Sequence, residues 1–310
     1  MVRNQVVKKK RILSNSPSDR IFDIVNIVIN FCLLIIFVFP LWFVVIASFS
    51  DPNEIYAGNV IFWIKGFTLT GYKELINYEP IWVGFRNSVF YTVVGTIVNL
   101  FMTILCAYPL SRKDWLPRRF WLKFCLITMY FSGGLIPTYL VVKEMHLLDT
   151  PWVMIIPGAL SFYNVLIVRS YFMNSIPSAL QDAAELDGAS HPQYLRHVII
   201  PLSKPVLAVV GLYYAVGHWN DYYTALIYIK DKDLFPLQTA LHSALGNAQA
   251  IADAVAKGNT QMIDDLINSQ ALAASLRYTT IIVGVLPMML VYPFVQKHFV
   301  KGVMIGAIKG

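Results

Sequence analysis

The sequence has little charge: Asp, Glu, Lys and Arg make up 14% of its 310 residues, against 56% hydrophobic residues. A soluble domain carries about a quarter charged residues, so a wetted globular surface cannot be the main architecture. Cysteine is scarce as well. Cys32, Cys106 and Cys125 all fall inside apolar segments, and their spacing suggests neither a disulfide framework nor a metal site. They read as small hydrophobic packing groups. Gly-x-x-x-x-Gly-Lys-Ser/Thr, His-Glu-x-x-His and Gly-x-Ser-x-Gly do not occur, so the sequence offers no phosphate-binding loop and no familiar hydrolytic motif. His146, His218 and His242 lack ligand-spaced companions. No catalytic residue, metal site or bound cofactor is expected. Gly/Ser linkers, low-complexity tracts and a convincing internal repeat are also missing.

Long apolar runs are what the chain does have. Several approach the ~20 residues that cross a bilayer as a helix. The pattern predicts an all-α integral membrane protein with six transmembrane helices, over 24–49, 87–110, 120–142, 152–172, 205–229 and 278–295. The first run is too long for a signal-peptide core and reads as a retained anchor. The formal net charge is +7, and the basic residues sit beside the apolar runs. Orientation and anionic headgroups account for them, with no aromatic-interleaved patch that would point to nucleic acid. Arg112, Lys113, Arg118, Arg119 and Lys123 cluster between the second and third runs, and Arg196 and Lys204 lie between the fourth and fifth. Both termini are therefore expected in the cytosol. The expected layout is a basic tail at 1–23, a membrane domain at 24–298 and a cytosolic tail at 299–310, with long outer loops at 50–85 and 230–277. The second outer loop holds two stretches of helical character, 248–256 and 262–276.

A polar insert at 177–201 separates the fourth and fifth runs. Pro177-Ser178 opens a helix in which Ser178 and Gln181 have the spacing of a capping box. Leu180, Ala183, Ala184 and Asp187 share one narrow face of mostly small residues. Gly188 suits the left-handed turn that ends a helix. Ser190, Pro192 and Gln193 start a second helix, which Pro201 is expected to terminate. Asp182, Glu185 and Asp187 form an acidic edge, and His191, Arg196 and His197 a more basic one. Such a hairpin is either a plain well-capped loop or a surface that receives force from a partner.

The order Asp182-Ala183-Ala184, three residues, Gly188, nine residues from Ala189 to His197, then Val198-x-Ile200-Pro201 resembles the EAA loop of ABC importer permeases. That pattern reads Glu-Ala-Ala, three residues, Gly, nine residues, Ile-x-Leu-Pro. Asp182, Val198 and Ile200 are conservative departures from it. Phe67-Thr68-Leu69-Thr70-Gly71-Tyr72, Asn87-Ser88, Trp219-Asn220-Asp221-Tyr222 and the ending from Gln296 to Gly310 are similar to the carbohydrate, MalG-like branch, and within it to the LplC-type permeases of Gram-positive oligosaccharide importers. The resemblance implies a type I importer permease fold. It also implies a second, unlike permease subunit, a cytosolic ATPase dimer that holds the ATP and Mg, and an extracellular solute-binding lipoprotein that delivers carbohydrate. On this resemblance Asp182, Ala183, Ala184, Glu185, Asp187, Gly188, Ala189 and Pro201 would couple to the ATPase. The chain itself would be a transport subunit of the cell membrane, not an enzyme.

The fifth run is the polar exception among the apolar segments. His218, Trp219, Asn220, Asp221, Tyr222 and Tyr223 occur together in its outer half. Ionisable groups at such depth face a wet cavity or a partner, and aromatic faces beside amide and carboxylate groups suit sugar rings. Trp219, Asn220, Asp221, Tyr222 and Tyr223 are the expected pathway residues, with an interhelical hydrogen-bond cluster as the plainer alternative. Tyr213 and Tyr214 read as packing. Asn87, Asn99 and Asn164 read as interhelical glue. Gly133-Gly134 with Pro137, and Pro157-Gly158, are expected to kink or thin their helices. An ion-coupled secondary transporter remains the rival reading. It would need midplane ionisable residues and repeats, and the chain offers few of the first and none of the second.

Overall fold

The computed structural model describes residues 17–257, 270–290 and 293. Among these, every regular element is helical and no strand occurs, as a bilayer demands of a chain that must satisfy its own backbone groups. In chain order the helices are α1 (Pro17–Ser48), α2 (Pro52–Tyr56), α3 (Thr70–Asn77), α4 (Glu79–Ser111), α5 (Arg118–Tyr130), α6 (Leu135–Glu144), α7 (Phe162–Ser175), α8 (Ser178–Leu186), α9 (His191–Tyr194), α10 (Ile200–Leu202), α11 (Lys204–Asn220), α12 (Tyr223–Tyr228), α13 (Leu237–Lys257) and α14 (Gln270–Leu290).

The core is built around α4, which packs against α11, α7 and α13. At one end Ala107 and Leu110 of α4 meet Val165 and Val168 of α7 and Val210 of α11. Towards the other end Tyr91 joins Val142, Met154 and Tyr228, while Ile81 joins Leu75, Trp219, Leu237 and Leu276. In contrast α1 stands apart: the most apolar window of Ile21–Ser48 is wholly unburied. At ~1.5 Å per residue those 28 residues are longer than a ~30 Å hydrocarbon core.

The six expected spans are not six continuous helices. Ile21–Ser48, Glu79–Ser111 and Gln270–Leu290 are long and apolar enough to cross a membrane, and counting each of two bent pairs as one span raises that number to five. The expected third span is broken, with α5 and α6 meeting at 116°. α5 has already stopped at Tyr130, and Gly134, at φ +84, a conformation closed to most side chains, is the N-cap from which α6 starts in a new direction. The expected fourth span opens with a 3-10 turn at Pro151–Met154, and its α-helix starts only at Phe162. α11 follows the preceding His191–Leu202 segment at 81° and stops at Asn220. Asp221 leaves the helix there and accepts the Thr224 backbone N–H through Oδ1 at 3.0 Å, which starts α12 afresh. The last span is already helical at Gln270, the first described residue of this segment, ahead of the expected Tyr278. The expected helical stretch at 248–256 lies inside α13. That at 262–276 is described only from Gln270, and the C-terminal tail at 299–310 lies outside the described residues.

Candidate functional site

The hairpin between α7 and α11 is assembled mainly by local chemistry. Pro177 occupies the N-cap of α8, so Ser178 is already the first helical residue and caps nothing. Gln181 does not reach back either; its amide donates to Glu185 Oε1 at 3.0 Å. The expected first capping box is therefore absent. The turn that follows α8 is as expected. Gly188 sits at φ +69, its N–H bonds the Glu185 carbonyl at 3.1 Å, and Ala189 N–H bonds that of Ala184 at 2.9 Å. This crossed pair of bonds closes a helix C-terminus on a left-handed residue. At the start of α9, Gln193 Oε1 accepts both the N–H and the hydroxyl of Ser190 at 2.8 Å, as the second capping box predicts.

Pro201 does not end the second helix. Leu195–Ile199 widens into a π-turn and the helix resumes through Leu202, breaking at Ser203. Proline lacks an N–H and crowds the carbonyl four residues back. The looser register, in which Ile200 N–H reaches Leu195 O, relieves both problems before the chain turns into α11.

Around α8 the small-residue face is divided. Ala184 is half-buried against the core, and Ala189 is half-buried after the turn. Asp182, Ala183, Glu185, Asp187, Gly188 and Pro201 are exposed. Leu186 projects furthest, 90% exposed, and went unnoticed in the sequence because it lies off the Leu180–Asp187 stripe.

The hairpin is also tied to the end of α4 by Arg112, one of the basic residues that favour a cytosolic position for this link. Arg112, the residue after α4, has a side chain 8% exposed. Its Nε and Nη2 each donate to the Asp114 carboxylate at 2.9 Å, and Nη2 also donates to Glu185 Oε1 at 3.0 Å. The guanidinium hydrogen bond holds the Asp114 carboxyl below its ordinary range. Glu185 is lowered too, first by the Gln181 amide and then by Arg112. The Arg112 proton is held more firmly than usual, chiefly through Asp114. A partner 73 residues away cannot be read from local spacing.

The second candidate region is a cavity of about 510 Å³ among α6, α7, α11 and α12. Thr138, Asn164, Tyr213, His218, Asp221 and Thr224 contribute to its lining. Behind it, Asn99 donates through Nδ2 to the Gly158 carbonyl at 2.6 Å, which leaves Oδ1 to accept His218 Nε2, also at 2.6 Å. Tyr214 OH meets Thr103 Oγ1 at 2.8 Å and receives the Ser161 N–H at 3.2 Å. This is the interhelical bonding expected of Asn99. Asn87 makes its own bonds to the Asp233 and Phe235 carbonyls. Gly95 leaves the room that His218 occupies: a Cβ there would collide with the imidazole.

Of the five residues expected along a pathway, Asp221 alone is among the lining residues of this cavity. Trp219 is 3% exposed. Its Nε1–H bonds the Gly284 carbonyl of α14 at 2.9 Å, and its ring meets Phe85 edge-on. Asn220 returns its amide to Val216 O at 3.0 Å. Tyr222 stacks on His242, and Tyr223 is exposed. The end of α11 at Asn220 sends these neighbours in different directions, which a continuous helical span concealed. No group of three or more potential metal ligands occurs among the described residues.

A multi-pass helical protein with a small-residue hairpin between two membrane segments has the form that the resemblance to importer permeases implies, and a family model fits. The model of the binding-protein-dependent transport system inner membrane component matches residues 11–305, and the chain belongs to that family. It is 37% identical over 298 residues to Protein LplC of Bacillus subtilis (strain 168), covering 96% of this chain and 98% of that protein. It is 36% identical over 294 residues to the polygalacturonan/rhamnogalacturonan transport system permease protein YtcP of the same organism, covering 94% and 99%. A solved bacterial ABC transporter involved in the import of the acidic polysaccharide alginate superposes with a TM-score of 0.79 at 30% identity, covering 92% of this chain and 98% of that one. The chain is thus a permease subunit of the cell membrane with a type I ABC importer permease fold.

Proposed function

We propose that this chain carries oligosaccharides across the cell membrane as one of two unlike permease subunits of an ATP-driven importer. The ATPase dimer that powers it binds ATP and Mg, and an extracellular solute-binding lipoprotein delivers the sugar. The observation that carries this reading is the hairpin. Its Gly188 turn is closed by two backbone hydrogen bonds, while Ala183 and Leu186 are left facing outward. A small residue and a projecting leucine, presented together on a capped helix, suit insertion into a groove on another protein. Both termini and the hairpin lie in the cytosol on this reading, as the placement of Lys and Arg favours, and the host is a Gram-positive bacterium. The residues 182–189 and Pro201 form the coupling surface. Asp221, with the hydroxyl and amide groups of the adjoining cavity, forms part of the sugar path. A relative named for polygalacturonan/rhamnogalacturonan transport and a solved transporter involved in alginate import support carbohydrate as cargo.

ATP binding closes the ATPase dimer, the hairpins move with it, and the two permeases rock to open the path outward. Hydrolysis resets them. The chain supplies the path and the lever, while the partner supplies the free energy. The test is uptake of labelled oligosaccharides by vesicles that contain the complete assembly. Uptake should require nucleotide and the binding protein, and should survive collapse of the ion gradients. Uptake that persists without nucleotide and stops with the gradient would establish a secondary transporter instead.

A further inference from the structure

The hairpin is seated on the core by Tyr194 and Ile199, and α8 has its own joint to the membrane helices. α8 reaches the end of α4 through Glu185, and Ala184 packs against the same core cluster. α4 in turn carries Asn99 and Thr103, which bond His218 and Tyr214 of α11 beside the cavity. A displacement of α8 can therefore reach the cavity through this joint, beside the routes offered by α7 and by Tyr194 and Ile199 packed on the same cluster. Arg112 lies at its centre, with its side chain 8% exposed and bonded to both Asp114 and Glu185.

We propose that Arg112 is a positioning residue for energy coupling: by clamping Glu185 of the hairpin to Asp114 at the end of α4, it makes α8 and α4 move as one body. The proposal rests on the importer reading given above. The physical grounds are geometric. A planar guanidinium holds Asp114 through two parallel bonds and still has a donor for Glu185, a fork that a lysine ammonium cannot reproduce. Removing the cation would leave two carboxylates close together with no counter-charge. The Gln181 amide would still hold Glu185, so the helix itself would remain folded. Loss of the clamp is therefore loss of transmission and not of the hairpin.

The experiment uses the whole assembled complex, with Cys32, Cys106 and Cys125 replaced and one cysteine placed at Thr224, which lines the cavity. A membrane-impermeant maleimide reports how ATP with vanadate changes the labelling rate at that position. Co-purification of the ATPase is measured on the same samples. With Arg112→Gln the ATPase should still co-purify, and the nucleotide-dependent change in labelling should shrink roughly tenfold, the size of an ordinary coupling between sites. Arg112→Lys should recover part of it. Adding Asp114→Asn to Arg112→Gln should cause no further loss, since both act through one clamp. A full nucleotide response with Arg112→Gln overturns the proposal. So does equal loss of ATPase association and response, which would make Arg112 a plain structural support. Failure of the unsubstituted complex to contain an ATPase would overturn the importer reading itself, and is recognised before any variant is made.

Discussion

The hairpin at 178–202 and the cavity beside α11 handle their polar groups in opposite ways. In the hairpin, Asp182, Glu185 and Asp187 are exposed, and the bonds that shape it span three to five residues: Gly188 to Glu185, Ala189 to Ala184, Ser190 to Gln193. Beside the cavity, Asn99 and His218 are buried and bonded across 119 residues of sequence, because an unpaired polar group there would be costly. One region takes its turns and caps from neighbouring residues, is seated on the core by Tyr194 and Ile199, and presents a surface. The other has a shape only while several helices stay together. Substitutions should therefore act on the hairpin through partner contact and on the cavity through stability.

The largest effect expected is from Gly188→Trp. A left-handed backbone costs a residue other than glycine about 1–2 kcal/mol, and an indole would also block close approach of a partner. ATP-driven uptake should disappear while the amount of protein in the membrane stays near normal. Because no atom lies within 4 Å of a Cβ at Gly188, Gly188→Ala should lose much less, and equal losses in the two would show that backbone strain alone is at work.

Gly95→Val tests the opposite side of the comparison. The new side chain must displace the His218 imidazole, an overpacking cost of about 1–3 kcal/mol. A lowered thermal midpoint of the purified complex should accompany the loss of uptake. An unchanged midpoint would mean that the Asn99–His218 pair is not what holds α4 to α11. Asp221→Ala should be milder. It removes the acceptor for Thr224 N–H, a hydrogen bond worth ~1 kcal/mol, and one group from the cavity. Relative rates among several oligosaccharides should change without loss of the ATPase, and an identical profile would take Asp221 off the sugar path.

The smallest effect concerns pH. Asp114 and Glu185 both have lowered pKa values. Groups of this kind contribute stability above their unfolded pKa and lose it as pH falls through the folded value. Protection of the hairpin from proteolysis should thus be flat from about pH 8 to about pH 5 and decline only below the ordinary carboxylate range near ~4. A midpoint near neutrality would contradict the assignment.

The same contrast explains what could be read from the sequence. The Gly188 turn and the Ser190–Gln193 cap were legible because the groups that make them are neighbours. The Ser178 cap misread one register, since Pro177 took the capping position. The break before α6 turned an expected continuous span into a bent pair, and α11 stops at Asn220 inside the expected fifth span, for hydropathy reports apolarity and not direction. Arg112 and His218 were each visible, but their partners Glu185 and Asn99 are set by helix packing, and no spacing rule links them. Trp219 looked like a ring for sugar until α14 was seen to lie against it.

The central claim is that the hairpin is gripped by an ATPase. Leu186→Cys, in a chain without its three native cysteines, places a thiol at the most projecting apolar position of α8. In membranes that contain the whole transporter, a short thiol-to-amine cross-linker should join it to the ATPase subunit, with a yield that changes when ATP is added. Active ATP-driven uptake with no adduct from Leu186→Cys or Ala183→Cys would contradict the account.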